Sequence, residues 1–261
     1  MKNEHLQHQP SGDDGAEEFG PKELQLAELT KRGATMEEIA RLREPVARTP
    51  EEAVRALKLG NARYYGGQAL RQEHSPVERR AQIVGQTPFA VVLGCSDSRV
   101  PTEHVFDVGP GHIFTVRVAG NIVAPSTLGS IEYALKHLKP HVLVVMGHEG
   151  CGAVHAAMTM TEEEVGAESE HVRLLISRIS PAVRNIPRIR DTKARMREAV
   201  IASVRRQVYY LNQNPVVREA AAGGQVAVIG AYYEISSGAV DFLETEEDLR
   251  LDTVDGEEPQ R

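Results

Sequence analysis

The most regular pattern in the chain is a set of short, β-rich apolar runs that begins at Phe89: FAVVLGC (89–95), HIFTVRV (112–118), HVLVVMGH (141–148) and QVAVIGAYY (225–233). Apolar runs of this length are the mark of strands covered on both faces, so they predict a mostly parallel sheet of four strands. Stretches of helical spacing lie between them: Ser126 to Leu138, a segment after Cys151, and a long charged portion near Thr192 to Asn212. Strands alternating with helices give an α/β fold with helices flanking the sheet. Gly238 follows the last buried run, and AVDFL after it adds an edge strand through a tight turn. Ahead of the strands, Pro21 to Arg43 shows helical spacing interrupted by Gly33, which predicts two short helices or a kinked one, with Thr35 capping the second. A further helix begins at Thr49, with Pro50 at its first position and Glu52 completing a capping box, and runs to about Tyr65 before Gly66 and Gly67. These helices precede every strand, so their apolar faces must pack on the later sheet or on a partner chain.

Composition narrows the class. The chain has 261 residues, 41% hydrophobic and 26% charged, which suits a globular protein with one sizeable core. No apolar run approaches the roughly 18 residues that a membrane-spanning helix needs, and the polar start lacks the basic-then-apolar order of a secretory signal. The expectation is a soluble, cytoplasmic protein with no membrane partner. The net charge of −7 is uneven: residues 1 to 20 carry one Lys and five acids, and residues 241 to 261 carry two Arg and nine acids. The two ends together hold −11, leaving the body at +4, too mild a balance for a nucleic-acid groove. The organisation read from these shifts is a partly helical N-terminal extension over 1–45, a single α/β domain over 46–243 and an acidic tail over 244–261.

Two cysteines, Cys95 and Cys151, stand against ten histidines, too few for a disulfide scaffold. Their neighbours carry the chemistry. LGCSDSRVP sets Cys95, Asp97 and Arg99 at alternate positions just past a predicted strand, where an extended segment would put them on one face. VMGHEGCGAV sets His148 and Cys151 three apart after another strand, a metal-ligand spacing. In a parallel sheet, ligands collect beyond the carboxyl ends of the strands, so the two clusters can meet in one cleft. Two thiolates and an imidazole suit Zn2+, and with no third cysteine the fourth position falls to Asp97 or water. Gly120 and Asn121 predict a sharp turn. A phosphate loop is a poor alternative there because no Lys-Ser or Lys-Thr follows.

Cys-x-Asp-x-Arg followed about fifty residues later by His-x-x-Cys resembles the β-class carbonic anhydrases, the plant-like, open subtype, over roughly residues 50 to 243. The resemblance implies a zinc held by Cys95, His148 and Cys151, with Asp97 either its fourth ligand or released to Arg99. It implies reversible hydration of CO2 to bicarbonate by attack of zinc-bound hydroxide, with the Asp97–Arg99 dyad controlling the fourth position. A guanidinium that binds a carboxylate bidentately can draw Asp97 off the metal. Two thiolates donate more charge to zinc than histidines do, so activity is expected to rise toward alkaline pH.

Further positions extend the resemblance. Gln86, Phe114, Tyr133 and Gly152 fall where the plant-related members bind substrate: an amide donor, two pocket-lining rings and a backbone N–H. Some bacterial relatives use a Trp, an Arg and a Tyr to hold inhibitory bicarbonate. Arg117 and Tyr233 match two of these, but Val92 stands at the Trp position, so an open, Arg99-latched form without that inhibitory site is expected. His137, His141 and His155 are candidate proton relays. The resemblance also implies a homodimer or a dimer of dimers, with the N-terminal helices reaching the neighbour. Competing readings are hydrolysis of a CO2 analogue such as carbonyl sulfide or carbon disulfide, a non-catalytic bicarbonate-binding component, and a redox role for Cys95 and Cys151.

Overall fold

A computed structural model of the chain describes residues 31–40, 46–70 and 76–243, together with Gln25, Glu28 and Leu29. The expected N-terminal extension is therefore described only in part, and the acidic tail 244–261 lies outside the described residues.

Gly33, with φ 72°, separates helical residues before it from α1 (Met36–Ala40). Thr35 caps α1 as expected: its hydroxyl accepts the Glu38 N–H at 3.3 Å while the Glu38 carboxylate accepts the Thr35 N–H at 2.9 Å. In α2 (Pro50–Tyr65) the Thr49 hydroxyl accepts the Glu52 N–H at 3.2 Å. The Glu52 carboxylate does not close the expected box. It reaches one residue further back to the Arg48 N–H at 2.8 Å. The buried stripe of α2 is Ala53, Leu57, Gly60 and Asn61, one face of a helix by spacing. Asn61 donates to the carbonyls of Val105 and Gly238 at 3.0 and 2.9 Å and accepts the Val240 N–H at 2.9 Å, which ties α2 to the sheet edge.

The sheet contains β1 (Ala90–Gly94), β2 (Ile113–Arg117), β3 (Val142–His148), β4 (Ala227–Tyr233) and β5 (Val240–Leu243) in the order β2-β1-β3-β4-β5. The first four are parallel and β5 runs antiparallel to β4. Gly238, with φ 83°, makes the turn into β5. Val91, Leu93, Leu143 and Val145 face one core cluster, and Ala90, Val92, Val142, Val144 and Met146 face another. Neighbouring residues thus point to opposite, buried faces, which is why these strands read as continuous apolar runs.

Short helices α3 (Pro76–Ala81) and α4 (Thr102–Val105) flank β1 in sequence, and α5 (Pro125–Tyr133) widens into a π turn over Ala134–Leu138. The segment after Cys151 forms α6 (Gly152–Thr159), α7 (Glu162–Ala167) and α8 (Glu170–Val183). The long charged portion is α9 (Thr192–Gln213), followed by α10 (Pro215–Ala222). Two glycines let α9 lie close on the sheet: a Cβ on Gly147 would sit 2.5 Å from Val200 Cγ1 and 2.7 Å from Val204 Cγ2, and one on Gly230 would sit 2.8 Å from Val204 Cγ1. Because β1 and β3 are parallel neighbours, their carboxyl ends lie side by side at one edge of the sheet.

Candidate metal centre

Gly94 pairs with Met146, so the chain leaving β1 at Cys95 lies beside the end of β3, whose last residue is His148. Past His148 the chain reverses at Gly150, where φ is 66°, and returns Cys151 as the N-cap of α6. A left-handed φ at this point favours glycine, so His-x-Gly-Cys is a turn that folds two ligands together. The donor atoms of Cys95, His148 and Cys151 lie within 4.8 Å of one another, and all three residues are buried. Among the described residues they are the one such group, and Asp97 is not in it.

The imidazole is committed on one side. Nδ1 of His148 lies 2.9 Å from the Glu149 carbonyl, and a carbonyl only accepts, so Nδ1 carries the proton. Nε2 is then a bare lone pair, buried and without a hydrogen-bond partner. Such an atom is costly unless something binds it. The Cys95 sulfur accepts the Gly120 N–H at 3.4 Å, made possible by the left-handed turn at Gly120, with φ 71°. The Cys151 thiol beside it holds Cys95 well below the ordinary thiol range, with the backbone N–H groups of Asp97 and Gly120 assisting. Hydrogen bonding to Cys95, together with burial, pushes Cys151 upward. One sulfur is thus disposed to be a thiolate, and two soft sulfurs with one neutral nitrogen fit a zinc-type ion better than a hard cation.

Asp97 and Arg99 meet by a different geometry from the expected alternation. The chain turns at this point, with the Val100 N–H on the Asp97 carbonyl at 3.1 Å, and Arg99 curls back. Asp97 Oδ1 accepts the Arg99 N–H at 2.9 Å and its Nε–H at 3.0 Å, while Oδ2 accepts Nη2 at 2.8 Å. This fork holds the Asp97 carboxyl well below the usual carboxylate range. Arg99 remains 56% exposed, so the latch sits at the mouth of the site. Arg117, from the end of β2, fixes the same segment: Nε donates to the Cys95 carbonyl at 2.9 Å and Nη2 to the Asp97 carbonyl at 2.6 Å.

The substrate-binding candidates fall into two groups. Gly152 begins α6, directly after Cys151, and open space surrounds it where a Cβ would lie. Gln86 is exposed before the opposite end of β1 from Cys95, and five strand residues span about 16 Å. Phe114 pairs with Val91, four residues upstream of Cys95, or about 13 Å along a strand. It meets Tyr133 with ring centroids 6.3 Å apart, and Tyr133 is 49% exposed. Within one chain, therefore, Gln86, Phe114 and Tyr133 stand away from the cluster.

At the positions of the inhibitory site, Val92 is fully buried in the core, Arg117 is engaged by two carbonyls, and the Tyr233 hydroxyl is 3.4 Å from that of Tyr64. His137 and His155 are exposed and His141 is half-buried. The contacts of two residues go beyond what the sequence implies for them. Arg117 acts on backbone carbonyls, and Glu149 accepts the Ser236 N–H at 2.9 Å from inside the His-x-x-Cys turn. The position of Glu149 between two ligands was the available signal.

Comparison with known proteins points the same way. Residues 90–240 match the family model described as carbonic anhydrase. Carbonic anhydrase 2 of Mycobacterium tuberculosis is 37% identical over 190 residues, covering 72% of this chain and 90% of the relative. The carbonic anhydrase of Mycolicibacterium smegmatis is 37% identical over 200 residues, covering 74% and 93%. Among solved structures, a tetrameric β-carbonic anhydrase of Sordaria macrospora superposes with a TM-score of 0.60 at 29% identity, covering 74% of this chain and 96% of that one. The Coccomyxa β-carbonic anhydrase, in complex with acetazolamide, gives 0.56 at 28% identity, covering 64% and 79%.

Proposed function

The chain belongs to the β-class carbonic anhydrases, and from that premise we propose that it hydrates CO2 reversibly to bicarbonate and a proton on a zinc ion held by Cys95, His148 and Cys151. The observation that carries this reading is the buried, unpartnered Nε2 of His148 in one cluster with two sulfurs. Zinc bound there would supply Lewis acidity that lowers the pKa of a coordinated water toward neutrality.

The protein's own groups do the rest. With both Asp97 oxygens turned to Arg99, Cys95, His148 and Cys151 would hold the metal without Asp97 and would leave it room for a water. Oδ1 already accepts two hydrogen bonds and Oδ2 one, so Oδ2 keeps an acceptor site for a proton of the nucleophilic water, orienting its lone pair toward CO2. Arg117 holds the Cys95–Asp97 backbone in place through the carbonyls of both residues. The Gly152 N–H belongs to the first turn of α6, where the helix supplies no acceptor, and it is the donor for an oxygen of bicarbonate.

The distance of Gln86, Phe114 and Tyr133 from the cluster along β1 supports a dimer in which each chain lends these residues to its neighbour. Ile83, 86% exposed, and Val84 beside Gln86 are apolar surface that a second copy would cover. Metal analysis with an indicator assay tests the proposal. The purified protein should carry close to one zinc per chain and hydrate CO2, whereas metal-free protein with both thiols titratable would favour the redox reading.

A further inference from the structure

Glu149 is joined to its surroundings by three hydrogen bonds that run in three directions. Its N–H donates to the Tyr233 carbonyl at the end of β4 at 2.8 Å. Its carboxylate accepts the Ser236 N–H in the β4–β5 turn at 2.9 Å. Its carbonyl accepts the His148 Nδ1–H at 2.9 Å. We propose that Glu149 is a positioning residue of the metal centre: its carboxylate anchors, to the β4–β5 turn, the peptide whose carbonyl fixes the tautomer and direction of His148. This inference rests on the zinc reading above.

The anchor point is itself braced. In the β4–β5 turn the Glu234 N–H reaches the Ala239 carbonyl at 2.9 Å and the Gly238 N–H reaches the Glu234 carbonyl at 2.8 Å. The Ala239 N–H donates to the Ser237 hydroxyl at 3.2 Å, and that hydroxyl donates to the Glu234 carboxylate. Asn61 of α2 then grips Gly238 and Val240 from outside the sheet. A continuous line of contacts runs from α2 through the turn to Glu149 and so to the imidazole.

A glycine follows immediately, and that is why such an anchor is needed. Gly150 has no side chain and nothing within 4 Å of where one would be, so it offers little resistance to rotation of the peptide before it. The Tyr233 contact fixes one end of residue 149. The Ser236 contact fixes the side chain, and the two together set where the carbonyl points. Were the carbonyl to swing away, Nδ1 would lose the acceptor that keeps its proton, and the other tautomer turns an N–H toward the sulfurs instead of a lone pair. A partner that orients a metal-bound imidazole in this manner typically matters about 10- to 100-fold in metal affinity.

The test compares wild type with Glu149→Ala, Glu149→Asp and Glu149→Gln as zinc-loaded proteins. Zinc release to a chromophoric chelator is measured, together with the visible absorption of the cobalt(II)-substituted forms. Gln keeps an oxygen at the right reach for Ser236, whereas Asp keeps the charge but is one methylene short. The expected result is that Ala and Asp release zinc about 10- to 100-fold faster and shift the cobalt bands, while Gln stays within about threefold of wild type. Should Ala fail to fold, Asp carries the same comparison. Release by Ala or Asp equal to wild type overturns the proposal, as does a Gln variant as impaired as Asp, because charge and not the hydrogen bond would then be at work. A wild-type protein that retains no zinc overturns the zinc reading itself, an outcome distinct from either.

Discussion

At the scale of single residues, the proposed function makes the Asp97–Arg99 fork the group that decides whether the metal keeps an open position. Lysine cannot reproduce a two-pronged contact. Arg99→Ala and Arg99→Lys should therefore both lower kcat/KM for CO2 hydration, by about 100-fold as an order of magnitude, while zinc content is kept. A Lys variant with wild-type kinetics would show that the fork is not needed. The sign of the pH effect follows from the direction of the Asp97 shift. Its folded pKa is depressed, so the stabilisation from Arg99 is fully present above the ordinary carboxylate pKa of about 4 and is lost as pH falls through the lower folded value. The carboxyl carbon of Asp97 should show no inflection between about pH 4 and pH 9, and Arg99→Ala should return it toward the usual range. An alkaline rise in activity therefore belongs to the metal centre and not to Asp97. The clustering of Cys95, His148 and Cys151 was legible in the sequence because thiol and imidazole at fixed spacing have few other meanings. The contacts of Arg117 and Glu149 were not legible in detail, because their partners are backbone carbonyls and N–H groups, which leave no mark on the residue string; only the place of Glu149 inside the His-x-x-Cys turn was a signal.

At the scale of elements, close approach of backbones is what sets the helices on the sheet. A Cβ on Gly60 of α2 would collide with the backbone carbonyl of Phe106, which cannot move aside as a side chain can. Gly60→Ala should cost about 3 kcal/mol, while Gly147→Ala, opposed by the side-chain ends of Val200 and Val204, should cost about 1–2 kcal/mol. Urea denaturation of the two variants checks the order, and equal midpoints would contradict it. The strands were readable because burial on both faces writes itself as uninterrupted Val, Ile and Leu. Helix α9 was readable to within a residue. Helix α8 was not resolved as a separate element, although Ile176, Ile179 and Val183 form its buried stripe, because Pro181 near its end reads as a breaker. Helix α10 carried a clear signal that went unused: Asn214 caps it through the N–H groups of Val216 and Val217, and Pro215 is its first residue. The alternation expected for Cys95, Asp97 and Arg99 failed because β1 stops at Gly94 and the chain turns instead of extending.

At the scale of the whole molecule, one chain does not bring its own Gln86, Phe114 and Tyr133 to its own cluster of Cys95, His148 and Cys151, and the proposed dimer would explain why. Coexpression of Gln86→Ala with Cys95→Ala tests this. Hybrid dimers would contain one complete site, so the mixture should recover about a quarter of wild-type activity, where the parents alone have little. No recovery beyond the sum of the parents would place Gln86 and Cys95 in the same chain's site. Sedimentation should show no active monomer. The central claim is that this cluster hydrates CO2, and stopped-flow CO2 hydration by the wild-type protein beside Cys95→Ala and Asp97→Asn measures it most directly. The account predicts a wild-type rate far above the uncatalysed reaction, loss of both zinc and activity in Cys95→Ala, and a zinc-loaded but strongly slowed Asp97→Asn. Three rates equal to the uncatalysed blank would contradict it.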